Sequence, residues 1–376
     1  MALRRSSPAN RCVPTPGPDR HLGQCQCYPA GVSEILGTDV PLTLAPPVSS
    51  VPDLTFAAGF YALEVELDES FRWMGLHGTI ELRPGDRPRF LELELLSEFF
   101  DLSQEVTVTV ARIVTTIELG HGWNRVSVAI PVGAEAVDLL VNTPFPQEYY
   151  PGDTRELAVR VRRASLHGDV ARYRAICSQH DNDIANLKEM LAGRTTLEST
   201  PPALGIDLIG RCNVHPPCVF CEWDAMKALE GDNAHLPFTL DTLHRLGDLF
   251  GHARLLVNCS IGEPFLLANL DELLDALAAS GKILEMSTNG QVLTERNIER
   301  LFRREVYLYV SVDAARAETY AKLRNDAHAR VVTNVRRLDQ AKGGRGGWPK
   351  VYMVFMPMAA NVDELPEFIA LCADLQ

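Results

Sequence analysis

Two hydrophobic periods divide the chain. Between residues 51 and 167 apolar and polar positions alternate with a period of two, in "FYALEVEL", "GTIELR", "FLELELL", "EVTVTVARIV", "RVSVAIPV", "AVDLLVN" and "ELAVRVRRASL", with Gly, Pro and Asp at the breaks. Successive side chains of a strand point to opposite faces, so each segment has one apolar face that must pack against another sheet. About eight short strands at this spacing predict an antiparallel β-sandwich of jelly-roll or related type. After Pro202 the pattern changes to short, nearly continuous apolar runs, each followed by an amphipathic one. "RLLVNCS" precedes "LDELLDALAAS", "KILEMSTNG" precedes "TERNIERLFRR", "VYLYVSVD" precedes "ETYAKLRN", and "KVYMVFMPM" precedes "VDELPEFIALCADLQ". Apolar strands alternating with helices predict a parallel sheet of βα units over residues 201–376. Counting "LGIDLIG", five units are visible, which predicts an α/β partial TIM-like barrel, C-terminally incomplete, rather than the closed form of eight.

Residues 168–200 read as a linker helix, with Tyr173, Ile176, Ile184 and Leu187 near helical spacing and Gly193 placed to cap its end. Cys177 on this helix reads as a small buried hydrophobe. Residues 1–50 are rich in proline and small polar residues, which predicts a flexible leader whose Cys12, Cys25 and Cys27 are unpaired thiols.

Composition narrows the class. A chain of 376 residues, 46% hydrophobic, is long enough for two domains with cores of their own. Its formal charge of −13, from 36 basic and 49 acidic residues, repels a phosphate backbone and argues against nucleic acid as a partner. The first residues lack the apolar stretch of a secretory signal, and no run approaches the ~20 apolar residues of a membrane span. The expectation is a cytoplasmic protein without a membrane span. In a reducing compartment its nine cysteines are better suited to metal or chemistry than to disulfides.

The spacing of three of them is informative. "RCNVHPPCVFCEWD" places Cys212, Cys218 and Cys221 as Cys-x5-Cys-x2-Cys just after the first strand of the α/β series, at the strand end where reactive loops of such sheets lie. Alone, the loop permits two chemistries. His215 could complete a closed Cys3His zinc tetrahedron. Alternatively, a cubane iron-sulfur cluster held by three thiolates keeps one iron open.

The later strand ends carry "CSIGEP" (259–264), "STNG" (287–290), "VSVD" (310–313) and "ETYAKLRND". Together with the cysteine loop, and in this order, they resemble the radical S-adenosylmethionine (SAM) superfamily over about residues 203–376. The usual Cys-x3-Cys-x2-Cys is widened here by "NVHPP", while Phe220 matches the aromatic residue before the last cysteine. The resemblance implies a 4Fe-4S cluster on Cys212, Cys218 and Cys221, with SAM on the open iron. It implies that Gly262 and Glu263 serve the SAM amino group, Ser311 and Asp313 the ribose, and Arg324 the SAM carboxylate, with Met356 and Met358 bordering the adenine. Two strand residues apart, Ser311 and Asp313 should share a face, and a planar guanidinium at Arg324 could bind a carboxylate bidentately. Cys259 and Cys372 read as buried residues outside any cluster.

The resemblance also implies an oxidoreductase mechanism: one electron from the cluster cleaves SAM, and a 5′-deoxyadenosyl radical abstracts hydrogen from a peptide or glycan-related substrate. A flavodoxin- or ferredoxin-like donor supplies the electron. The stretch "GFYALEVELDESFRWMG" resembles the start of β-sandwich domains attached to bacterial glycan-modifying proteins, which implies a recognition module. Trp73, Trp123, Tyr149 and Tyr150 are then candidate stacking faces for sugar rings. The competing class is a non-catalytic binding protein: a sandwich joined to a zinc-stabilised or degenerate barrel.

Overall fold

The computed structural model describes residues 53–66, 69–222, 237–302, 304–343 and 348–375; the leader expected over 1–50 lies outside them. The sandwich has ten strands among the described residues rather than about eight. They are β1 (Leu54–Phe56), β2 (Phe60–Glu66), β3 (Glu69–Met74), β4 (His77–Leu82), β5 (Arg89–Ser97), β6 (Glu105–Val110), β7 (Ile113–Glu118), β8 (Gly122–Ile130), β9 (Ala136–Val141) and β10 (Val159–His167). They form two five-stranded antiparallel sheets, ordered β1-β4-β9-β6-β7 and β2-β3-β10-β5-β8. The run "EVTVTVARIV" is a hairpin rather than one strand: Val110 pairs with Ile113 across a two-residue turn in which Ala111 takes φ 54°. Such turns need a positive φ, and without Asn or Gly the sequence hides them.

Between the sheets lies a core that includes Ile80, Leu91, Leu93, Leu95, Val106, Val108, Val137 and Leu139. The alternation in "FLELELL" sends Glu92 and Glu94 to the other face, where water would be expected, yet they are only 1% and 4% exposed. Helix α1 (Val170–Leu191) and the α/β half cover that face. Asp169 caps α1 by accepting from the amides of Ala171 and Arg172. Tyr173 stacks on Phe90 at 4.4 Å, and Gly193 follows the helix at φ 64°, as its capping role requires. Cys177 is buried as expected.

The buried glutamates are matched by arginines. Arg125 on β8 donates to Glu94 at 2.6 Å and pairs with Glu305; Arg162 donates to Glu94 at 2.8 Å, and Arg172 to Glu92 at 2.9 Å. Burial alone would raise the Glu94 carboxyl, but Arg125 and Arg162 override it and hold it down at about 2. Arg125 also donates to the Gly281 carbonyl and Arg172 to that of Ala278.

The α/β half contains five parallel strands in sequence order: β11 (Ala203–Ile206), β12 (Leu255–Asn258), β13 (Ile283–Thr288), β14 (Val306–Ser311) and β15 (Lys350–Val354). Helices between them include α2 (Leu240–Arg245), α3 (Asp248–His252), α4 (Leu270–Ala279), α5 (Glu295–Leu301), α6 (Ala317–Leu323) and α7 (His328–Lys342), and α8 (Leu365–Asp374) follows β15. Leu256, Leu284, Met286, Val306, Leu308 and Val310 face the helices in one core. Gly281 and Glu305 stand just before β13 and β14, so the sandwich docks at the N-terminal ends of the barrel strands. The cysteine loop follows the C-terminal end of β11.

Candidate functional site

Two side chains, Asn289 just past β13 and Arg324 just past α6, are hydrogen-bonded to the cysteine loop. The loop anchors on α6, where the Val219 amide donates to the Leu323 carbonyl at 3.0 Å, and closes on itself through Cys221 N to Cys218 O at 3.0 Å. Arg324, just past α6, donates Nη1 to the Cys218 sulfur at 3.6 Å, and its guanidinium lies 5.3 Å from the Phe220 ring centre. From the end of β13, Asn289 Nδ2 donates to the Cys212 sulfur at 3.7 Å and to Asn213 Oδ1 at 2.9 Å. Burial raises the Cys218 thiol; Arg324 opposes this, while Cys221 and Cys212 push it further upward. Burial likewise raises Cys212. A metal must displace these protons to bind.

His215 is exposed, and among the described residues no three His, Cys, Asp or Glu side chains are arranged to hold a single metal ion. A closed Cys3His zinc site would need four donors around one point. The thiolates of a cubane bind separate irons at its corners, so they need not converge. The donor set, three thiols with N–H groups aimed at two of their sulfurs, fits the cluster.

Glu263 follows β12 and is 1% exposed. Its Oε1 accepts from Thr288 Oγ1 at 2.9 Å and from the Phe265 amide at 3.3 Å, and its Oε2 accepts from the Asn289 amide at 2.9 Å. Burial raises its carboxyl to about 7 against the pull of these donors. These bonds tie the second strand end to the third through Glu263. Gly262 is required for a related reason: a Cβ there would stand 1.9 Å from the Ile209 carbonyl oxygen and 2.8 Å from that of Arg211. The close approach that only glycine allows is to the loop's own backbone, and Glu263 N donates to Arg211 O at 2.8 Å.

Ser311 and Asp313 do not form the expected pair. Strand β14 stops at Ser311, and Asp313 takes φ 59°, so the period-two rule ends before it. Asp313 is 1% exposed; its Oδ2 accepts from Arg324 Nε at 2.7 Å and Nη2 at 2.5 Å, and its Oδ1 accepts from the Met356 amide at 2.8 Å. The fork that Arg324 was expected to offer a SAM carboxylate is closed on Asp313, leaving Nη1 to the Cys218 sulfur. Ser311 is half-buried on the opposite face from the helix-packed core. Met356 is exposed and Met358 half-buried. Sequence reasoning missed Asn289 as an individual residue, although the motif "STNG" contained it.

Outside the site, Cys259 is exposed, contrary to expectation, where it emerges from β12 beside Gly205. Cys372 is half-buried. Three of the four aromatic residues considered for sugar stacking are occupied. Trp73 is buried with Arg160 over its ring at 4.8 Å, Trp123 carries Arg162 at 4.2 Å, and Tyr150 packs on Trp73; Tyr149 is exposed.

Residues 206–372 match the family model described as the Radical SAM superfamily. The match lies wholly within the α/β half. No curated protein matches the chain. Similar solved structures include SuiB of Streptococcus suis bound to S-adenosylmethionine, at 14% identity and TM-score 0.37, covering 61% of this chain and 47% of that one. Another is an archaeal TYW1, at 18% identity and TM-score 0.28, covering 36% of this chain and 46% of that one. A third is CBM35 from Cellvibrio japonicus Abf62, at 14% identity and TM-score 0.21, covering 31% of this chain and 91% of that one. The chain spans about half the length of the first two. The cofactors of the radical SAM family are a 4Fe-4S cluster and SAM. Among the described residues no helix is long and apolar enough to cross a membrane.

Proposed function

We propose that this chain is a radical SAM enzyme in which Cys212, Cys218 and Cys221 hold a 4Fe-4S cluster and SAM binds beside it, against Phe220, the backbone around Gly262, and Ser311. The supporting observation is the lacing of the cysteine loop to later strand ends, through Arg324 to Cys218 and Asn289 to Cys212. Zinc thiolates accept N–H donors too, so the reading of a cluster over a zinc loop is supported by the match of residues 206–372 to the Radical SAM superfamily model. Held by Cys212, Cys218 and Cys221, the cluster with SAM would supply one-electron radical chemistry for hydrogen abstraction from a substrate. The chain's own residues prepare the site. Arg324 and Asn289 donate to sulfur and stabilise its anionic form. Asp313 holds Arg324, and Glu263 holds Asn289, each buried so that solvent does not compete.

The substrate proposed is a peptide or a glycan-related molecule, the electron donor a flavodoxin- or ferredoxin-like protein, and the location the cytoplasm. The sandwich docks at the opposite end of the strands from the thiols, so a recognition role there suits an extended substrate. The test is anaerobic reconstitution with iron and sulfide, followed by SAM and dithionite, with release of 5′-deoxyadenosine as the readout. The parent protein should release it and Cys218→Ala should not. Equal release by the alanine variant defeats the loop assignment, and no release by the parent favours the non-catalytic binding protein.

A further inference from the structure

The sheet face opposite the helix-packed core carries a carboxylate in an aromatic wall. Alternation in β13 and β14 buries Leu284, Met286, Val306, Leu308 and Val310 under the helices and turns Glu285, Ser287, Tyr307 and Tyr309 the other way. The register sets them side by side: Glu285 pairs with Tyr307, Ser287 with Tyr309, and Tyr309 with Tyr352. Tyr309 and Tyr352 stack with centres 5.1 Å apart and planes 20° apart, and Tyr307 meets Trp348 edge-on at 4.9 Å. Glu285 is half-buried, and no hydrogen bond or ion pair ties it to another described residue. Lys350, on the far side of Tyr307 in the same row, is buried. Two residues beyond Ser287 is Asn289, which donates to Cys212, and two beyond Tyr309 is Ser311. The wall therefore lies one step below the cysteine site on the same strands.

A carboxylate without a counter-charge in an aromatic wall attracts a cation. The faces of neighbouring tyrosines attract the same cation through their quadrupoles. Burial, followed by the charge of Glu285, raises the Tyr309 phenol, so it remains a neutral hydrogen-bond donor. We propose that Glu285, Tyr309 and Tyr352 form a substrate subsite for a positively charged nitrogen, an ammonium or guanidinium, presented toward the radical SAM centre. Its place in a reaction rests on the function proposed above, whereas its binding chemistry does not.

Benzylammonium and its neutral analogue benzyl alcohol test this by titration of the full-length reconstituted protein, followed by intrinsic fluorescence. Benzylammonium should bind about tenfold or more tightly than the alcohol, and Glu285→Gln should abolish that preference while leaving alcohol binding unchanged. Tyr352→Leu, at an exposed position that tolerates change, should weaken the cation as well. Equal binding of the two probes by the parent overturns the proposal, as does an unchanged preference in a Glu285→Gln protein with native melting. If the preference follows Glu285 but the parent releases no 5′-deoxyadenosine, the subsite stands and the enzymatic reading falls.

Discussion

Gly262 shows how little space separates the second strand end from the cysteine loop. An added methyl group would lie 1.9 Å from the Ile209 carbonyl oxygen, and backbone on both sides must move to admit it. Gly262→Ala is expected to cost about 1–3 kcal/mol, the usual range for overpacking, and to lower iron content per chain because the displaced loop carries Cys212. Denaturant melts and iron assays on reconstituted protein check both; unchanged iron loading would show that the loop tolerates the shift. At this scale the sequence was partly legible. The residue types of the site could be picked out because cysteine spacing and Gly-Glu-Pro are local signals. Their partners could not, since Asp313 meets Arg324 and Glu263 meets Asn289 only after separate strands come together.

Strand β5 carries the same lesson at the scale of the element. Its alternation correctly oriented Leu91, Leu93 and Leu95, yet a period of two says only that the faces differ, not that the polar face is wet. Glu94 is buried and its carboxyl held at about 2 by Arg125 and Arg162, against the 4.5 usual for such a group. A carboxyl depressed in the folded state contributes its stability above about 4.5 and loses it as pH falls toward 2. The contribution at neutral pH is roughly 3 kcal/mol. Urea midpoints measured from pH 6 down to 2 should fall through this window, and Glu94→Gln should flatten the slope there. An equally steep fall in the variant would assign the acid sensitivity to other groups. The β6–β7 hairpin is a second case: an apolar run continues through a two-residue turn, and only the positive φ at Ala111 reveals it.

Across the whole molecule, several guanidiniums join the two halves, with Arg125, Arg163 and Arg172 all meeting Glu305. Arg125 reaches Glu94 and Glu92 in the sandwich and Glu305 and the Gly281 carbonyl at the base of the barrel strands. Arg125→Ala leaves Glu94 to Arg162, Glu92 to Arg172 and Glu305 to Arg163 and Arg172, so it should cost less than the ~3–5 kcal/mol of a fully unpaired buried charge, and it should split thermal unfolding into two transitions as the halves uncouple. A single transition at the parental temperature would show that the interface does not depend on this residue. The six residues of β13 set about 20 Å between that interface and the cysteine loop at ~3.3 Å per residue. The sandwich therefore meets the sheet about a strand's length from the three thiols. The sequence by itself determined the two periods, the parallel βα order and the three thiols, because each is written in neighbouring residues. The tertiary structure alone decided that both faces of β5 are buried, that Arg324 closes on Asp313, and that Glu285 stands among tyrosines. Those contacts join residues far apart in the chain, and no local pattern encodes which distant charge will arrive.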